Sequence, residues 1–107
     1  MKTHKDLVFE PHHLASEMQN MPEMEWFLED MRLSRDAKHA VLEFDNGYGI
    51  SVVTDAPIIT GSHKYECAVI KGTRDNYELV YPEFAPDVVR MDTEKEIDTF
   101  MEQIQRM

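Results

Sequence analysis

The residues in this chain best equipped for chemistry are His12 and His13, which stand between Glu10 and Glu17. Imidazole and carboxylate groups ligate zinc, and a helix through this segment would put His13 and Glu17, four residues apart, on one face. A structural zinc site wants four ligands with recognisable Cys/His spacing, and a catalytic site wants three with an open position. Neither pattern is present, and adjacent histidines point in different directions on a helix. A small metal-binding protein or enzyme using His12, His13 and neighbouring carboxylates is therefore the alternative reading, not the first. General acid–base catalysis asks for two carboxylates, or a His and a carboxylate, held in a pocket with separated pKa values. Among 21 Asp and Glu, chance pairs are everywhere. Glu43 and Glu66 are the two expected inside strands, and both alternate with apolar neighbours as outward-facing residues would. The chain has no serine elbow, P-loop or dinucleotide glycine fingerprint. Asp45-Asn46-Gly47-Tyr48-Gly49 lies between strands, which removes a phosphate cradle at a helix start. The expectation is a non-catalytic protein with no cofactor and no metal.

Charge is the strongest compositional signal. Eleven Lys and Arg against 21 acids leave a net −10, which argues against a nucleic-acid backbone or an anionic membrane as partner and permits a basic protein surface. Two stretches concentrate the acids. Glu17, Glu23, Glu25, Glu29 and Asp30 form a segment without Lys or Arg, and Asp92, Glu94, Glu96, Asp98 and Glu102 are relieved by Lys95 alone. Solvated helix faces account for both without invoking function. As partner-binding candidates they select Glu23, Glu25, Trp26, Glu29 and Asp30, or Glu94, Glu96 and Asp98. Trp26 lies off its helix stripe, as a second packing contact or an exposed anchor. Tyr48, Tyr65, Tyr77 and Tyr81 could stack bases on a sheet, but that mode comes with a basic surround. Core packing and cross-strand pairing explain them better here. Of the eight methionines, Met18, Met21, Met24 and Met31 could form an adaptable partner-binding surface, yet most fit a helix stripe and a filled core.

The elements that would position these groups are organised around Lys38–Thr54, which reads as a β-hairpin. Asp45-Asn46-Gly47 suits a three-residue loop, a type I turn followed by a left-handed glycine. That register sets Phe44 against Tyr48, Leu42 against Ile50 and Ala40 against Val52, collecting the apolar residues on one face. Lys64–Lys71 and Tyr77–Tyr81 alternate in the same way around a turn at 72–76, giving a second hairpin. Before them, Asp6–Glu10 with Pro11 reads as an edge strand or extended arm. His12–Asn20 and a segment starting at Pro22 read as helical, the second burying Met24, Phe27, Leu28 and Met31. Residues 55–63 read as a connection with an unusual Ile58-Ile59 pair, which either caps the core or is presented to a partner. Residues 83–91 read as a crossing segment carrying a helical turn near Asp87–Arg90. Thr93 with Glu96 fits a capping box, ahead of the stripe Ile97, Phe100, Met101 and Ile104. At 107 residues the chain is expected to be one α+β domain. Its four-stranded antiparallel sheet is packed by an N-terminal helical segment and a C-terminal helix. Cys67 is alone, cannot form an internal disulfide, and is expected to be buried.

The run Leu42–Val53, followed by Tyr65–Gly72 and Tyr77–Tyr81, resembles small uncharacterised proteins of tailed bacteriophages and prophages, over roughly residues 40–107. That resemblance implies a source class and an accessory role, with no activity attached to particular residues. Joined to the charge, it suggests a protein that occupies a basic surface of a host protein, including a defence nuclease. The chain has no apolar run of membrane-spanning length and no apolar signal core behind its basic start, so a cytoplasmic location is expected. A homodimer through an open sheet edge or an exposed apolar loop is compatible with that role.

Overall fold

The computed structural model describes residues 1–12 and 37–107, apart from the side chain of Ile58. The expected N-terminal helical segment, with Glu23, Glu25, Trp26, Glu29 and Asp30, lies outside the described residues. Within them the architecture is α+β, a six-stranded sheet with every described pairing antiparallel and a C-terminal helix on one face. The strands are β1 (Glu10–Pro11), β2 (Lys38–Glu43), β3 (Tyr48–Thr54), β4 (Tyr65–Gly72), β5 (Tyr77–Val80) and β6 (Val89–Met91). A one-turn helix α1 (Pro57–Thr60) links β3 to β4, and α2 (Glu94–Gln105) closes the chain. The strand order is β1-β2-β3-β4-β5, with β6 also on β4.

The first hairpin forms in the expected register. Ala40 pairs with Val52 and Leu42 with Ile50, the Phe44 N–H donates to Tyr48 O, and Gly47 holds φ at 85°. Burial explains the choice: the opposite register would have mixed polar and apolar residues on both faces. Gly49 serves a different purpose from Gly47. A Cβ there would stand 2.3 Å from the Leu42 carbonyl oxygen and 3.0 Å from Ile70 Cγ1, so this row of the sheet closes only over a bare backbone.

Ala40, Ile50, Val52, Tyr65, Cys67, Val69 and Met91 form one buried face of the sheet. Against it lie Ile97, Phe100, Met101 and Ile104 of α2, the stripe expected from their spacing. Fully burying one such side chain contributes roughly 1.5–3 kcal/mol, so this contact is the main adhesive of the described fold. The helix starts where expected. The Thr93 hydroxyl accepts the Glu96 N–H at 3.2 Å and donates to the Glu96 carboxylate at 3.0 Å. Glu96 then reaches the Asp92 N–H at 3.4 Å, one residue upstream of the usual capping-box partner.

The expected four-stranded sheet is extended. The edge strand expected near the N-terminus pairs with the outer edge of β2, at Glu10–Pro11 instead of Asp6–Glu10, and β6 replaces the expected helical turn. β5 pairs with β4 only as far as Val80 and Val69, which leaves the edge of Tyr65–Cys67 unfilled. Residues 81–88 loop away opposite Ala68, and Val89–Met91 return to complete that edge. The connection that carries Ile58-Ile59 forms the short helix α1, and Ile59 packs near Ala37, Ala56 and Val53. The four tyrosines are also not one set. Tyr65 is buried, Tyr48 and Tyr77 are half-buried, and Tyr81 is 55% exposed because its strand has already left the sheet. Among the described residues, no helix is long and apolar enough to cross a membrane.

Candidate functional site

The acidic residues singled out on the last helix are largely occupied within the molecule. A 3₁₀ turn at His4–Asp6 brings the N-terminal arm against α2. There the His4 N–H donates to Asp98 at 2.7 Å, the His4 ring Nδ1 meets the same oxygen at 2.8 Å, and its Nε2 lies 3.5 Å from Glu94. Burial raises the Asp98 pKa, but the His4 N–H, ring and charge, with Lys5, outweigh it and hold the carboxyl below its ordinary value. Glu96 serves as the cap. Glu94 and Glu96 are both exposed, Glu94 with 62% of its side chain in solvent, and Asp98 is half-buried.

A second acidic region was missed by sequence reasoning. Residues 75–87 contain Asp75, Glu78, Glu83 and Asp87 and neither Lys nor Arg. All four acids are exposed, and none joins an ion pair among the described residues. The flanking arginines are turned to other partners: Arg74 to Glu10 at 2.7 Å, and Arg90 to Glu66 at 3.6 Å. The segment contains β5, the terminal strand in the sheet order. Thr73 and Asn76 exchange both backbone hydrogen bonds, at 3.0 and 3.2 Å. Alternation along the ladder then points the backbone groups of Glu78 and Val80 at β4, and those of Tyr77 and Leu79 away from the sheet. Leu79 and Tyr81, 44% and 55% exposed, lie along this edge. Phe84 follows in the loop, 37% exposed, edge-on to Phe100 at 6.0 Å. Acids interleaved with Tyr, Leu and Phe and free of Lys were the available signal. The alternation at 77–81 fits core packing equally well, which masks that signal.

The metal candidates separate. Glu10 turns to Arg74, and His13 and Glu17 lie outside the described residues. His12 is buried on the sheet face opposite α2, its ring centroid 5.5 Å from that of His39, in a cleft of about 310 Å³. His39 Nε2 lies 2.7 Å from Ser51 Oγ, a diagonal pair across β2 and β3. Such a pair can share a proton, yet nucleophilic use also asks for donors to a developing oxyanion. Glu66 lines the same cleft, its carboxyl raised by burial against the opposing pull of Arg90. The Cys67 thiol is pushed up to about 12 by burial, with Glu66 and Glu96 adding to it, and is inert as a nucleophile near neutrality. Among the described residues, no group of three or more His, Cys, Asp or Glu is placed to hold a metal ion.

Comparison with protein-family models, curated proteins and solved structures finds no match.

Proposed function

We propose that this chain is a non-catalytic acidic binding domain whose partner presents a basic protein surface. In the phage accessory role suggested by its sequence, it would occupy such a surface on a host protein, for example the nucleic-acid groove of a defence nuclease. The supporting observation is the stretch 75–87, where four exposed carboxylates join no ion pair among the described residues, beside exposed Leu79 and Tyr81. On a chain of net −10, their field attracts a basic surface from a distance, and the apolar side chains supply area to bury once it arrives. Salt screens the first effect and leaves the second. The test is capture from bacterial lysate by the tagged full chain at low and high salt, with protein and nucleic acid both identified. A basic protein recovered in stoichiometric amount and released as salt rises supports the reading. Recovery of nucleic acid, or of no protein at all from the host species, contradicts it.

His12 and His39 beside Ser51 favour a second reading, a small metal-dependent protein or enzyme using His12, His13 and nearby carboxylates. Metal analysis of the purified full chain decides it. Near-stoichiometric transition metal supports that reading, and its absence removes the metal-dependent form.

A further inference from the structure

We infer that the outer edge of β5 takes up an extended basic segment of the partner as an added strand, an inference that rests on the protein-binding reading above. An open edge exposes a row of backbone donors and acceptors, and proteins usually blunt it with lysine, proline, a bulge or a cover. The opposite edge of this sheet is treated that way. β1 pairs with β2 at Lys38 and His39, and the Lys2 ammonium donates to Glu43 O at 2.9 Å. On β5 the outward backbone groups of Tyr77 and Leu79 have no strand beside them among the described residues, and neither lysine nor arginine stands on that strand.

Charge selects the occupant. A second copy paired edge to edge would bring Asp75, Glu78 and Glu83 of both chains together, and like charges directly opposed disfavour a ladder. A cationic strand meets those same acids as partners. Geometry limits its length. β5 has four residues before Pro82 ends the edge, so at about 3.3 Å per residue the added segment spans roughly 13 Å. Asp75 lies at one end of that span, and Glu83 lies beyond the other. Tyr77 and Leu79 share the sheet face that carries the cleft. The best-fitting segment therefore has an apolar or β-branched centre and Lys or Arg at both ends.

The test uses the isotope-labelled full chain and three synthetic nonapeptides. One is Arg-Lys-Thr-Val-Thr-Val-Thr-Lys-Arg, one has Glu in place of every Lys and Arg, and one is the cationic peptide N-methylated at alternate central residues. The inference predicts amide shifts centred on Tyr77–Tyr81 with the cationic peptide and slowed exchange of the Leu79 N–H. It also predicts binding about tenfold weaker after N-methylation, the loss of roughly one or two backbone hydrogen bonds. Leu79→Pro removes an outward donor and should weaken binding well beyond Leu79→Thr, which keeps the donor and gives up only apolar area. Shifts confined to α2 would overturn the edge assignment and leave the acidic binding reading intact. No binding of the cationic peptide, or equal binding of the anionic one, would overturn the inference, while lysate capture judges the wider reading separately. Dimerisation of the free chain that Leu79→Pro abolishes would show the edge to be taken by a second copy and would also overturn it.

Discussion

The His4 backbone N–H and ring Nδ1 converge on one oxygen of Asp98, at 2.7 and 2.8 Å, fastening the N-terminal arm to the last helix. Lys2 and Gln105 repeat the fastening about two turns further along the helix. The Lys2 N–H donates to Gln105 Oε1 at 2.9 Å, and Gln105 Nε2 donates back to Lys2 O at 2.8 Å. The folded Asp98 pKa lies below its ordinary 3.8. Stability from this contact is thus fully present above that value and is lost as pH falls below it towards the folded value. Asp98→Ala is expected to cost about 0.5 kcal/mol at neutral pH, a small figure because of solvent screening. The difference from the parent should shrink below pH 3.8, measured as urea midpoints across that range.

Cys67 carries the opposite pH signature. Its thiol is neutral in the fold up to about 12 but ionises near 9.0 when unfolded. Its contribution is therefore fully present below 9.0 and falls as pH rises through that window. The decline approaches about 1.4 kcal/mol per pH unit. Cys67→Val should flatten the alkaline loss of stability relative to the parent. Thiol labelling of the native parent near pH 7 should proceed only as fast as the chain opens.

Two glycines of the first hairpin should respond differently to substitution. Gly47 holds φ at 85° with nothing within 4 Å of a built Cβ, so Gly47→Asn should cost under about 1 kcal/mol, since asparagine tolerates this conformation. Gly49→Ala forces a methyl against the Leu42 carbonyl and Ile70, and should cost about 2 kcal/mol or more. Chemical denaturation of the two variants distinguishes the turn requirement from the close approach.

The seating of α2 gives a further pair. Ile104→Ala opens a cavity against a fully buried site and should cost about 2–5 kcal/mol. Thr93→Ala removes the cap and should cost about 1 kcal/mol. A loss at Thr93 as large as that at Ile104 would mean that the helix is held chiefly by its end and not by its stripe.

The hairpin register, the apolar faces of β4 and α2 and the Thr93 cap were legible in the sequence because each is local, set by a turn residue or a repeating period. Strand β6 was not, because Val89–Met91 becomes a strand only where β5 stops short and leaves Tyr65–Cys67 unpaired, a fact about distant residues. For the site, Glu94, Glu96 and Asp98 could be found by charge alone. Nothing in the order of residues shows that His4 folds back onto Asp98. The segment 75–87 was the reverse case. Its charge bias was visible, but the exposure of Leu79 and Tyr81 depends on β5 being the last strand of the sheet.

The proposed binding role is tested most directly by the association rate between this chain and a basic protein recovered with it from lysate, followed as a function of ionic strength. The measurement compares the parent with a variant carrying Asp75→Asn, Glu78→Gln, Glu83→Gln and Asp87→Asn. The account predicts that the parent's rate falls steeply as salt rises, and that the variant associates more slowly with a flattened salt dependence. A parent rate indifferent to salt, or a variant that follows the parent's curve, would contradict it.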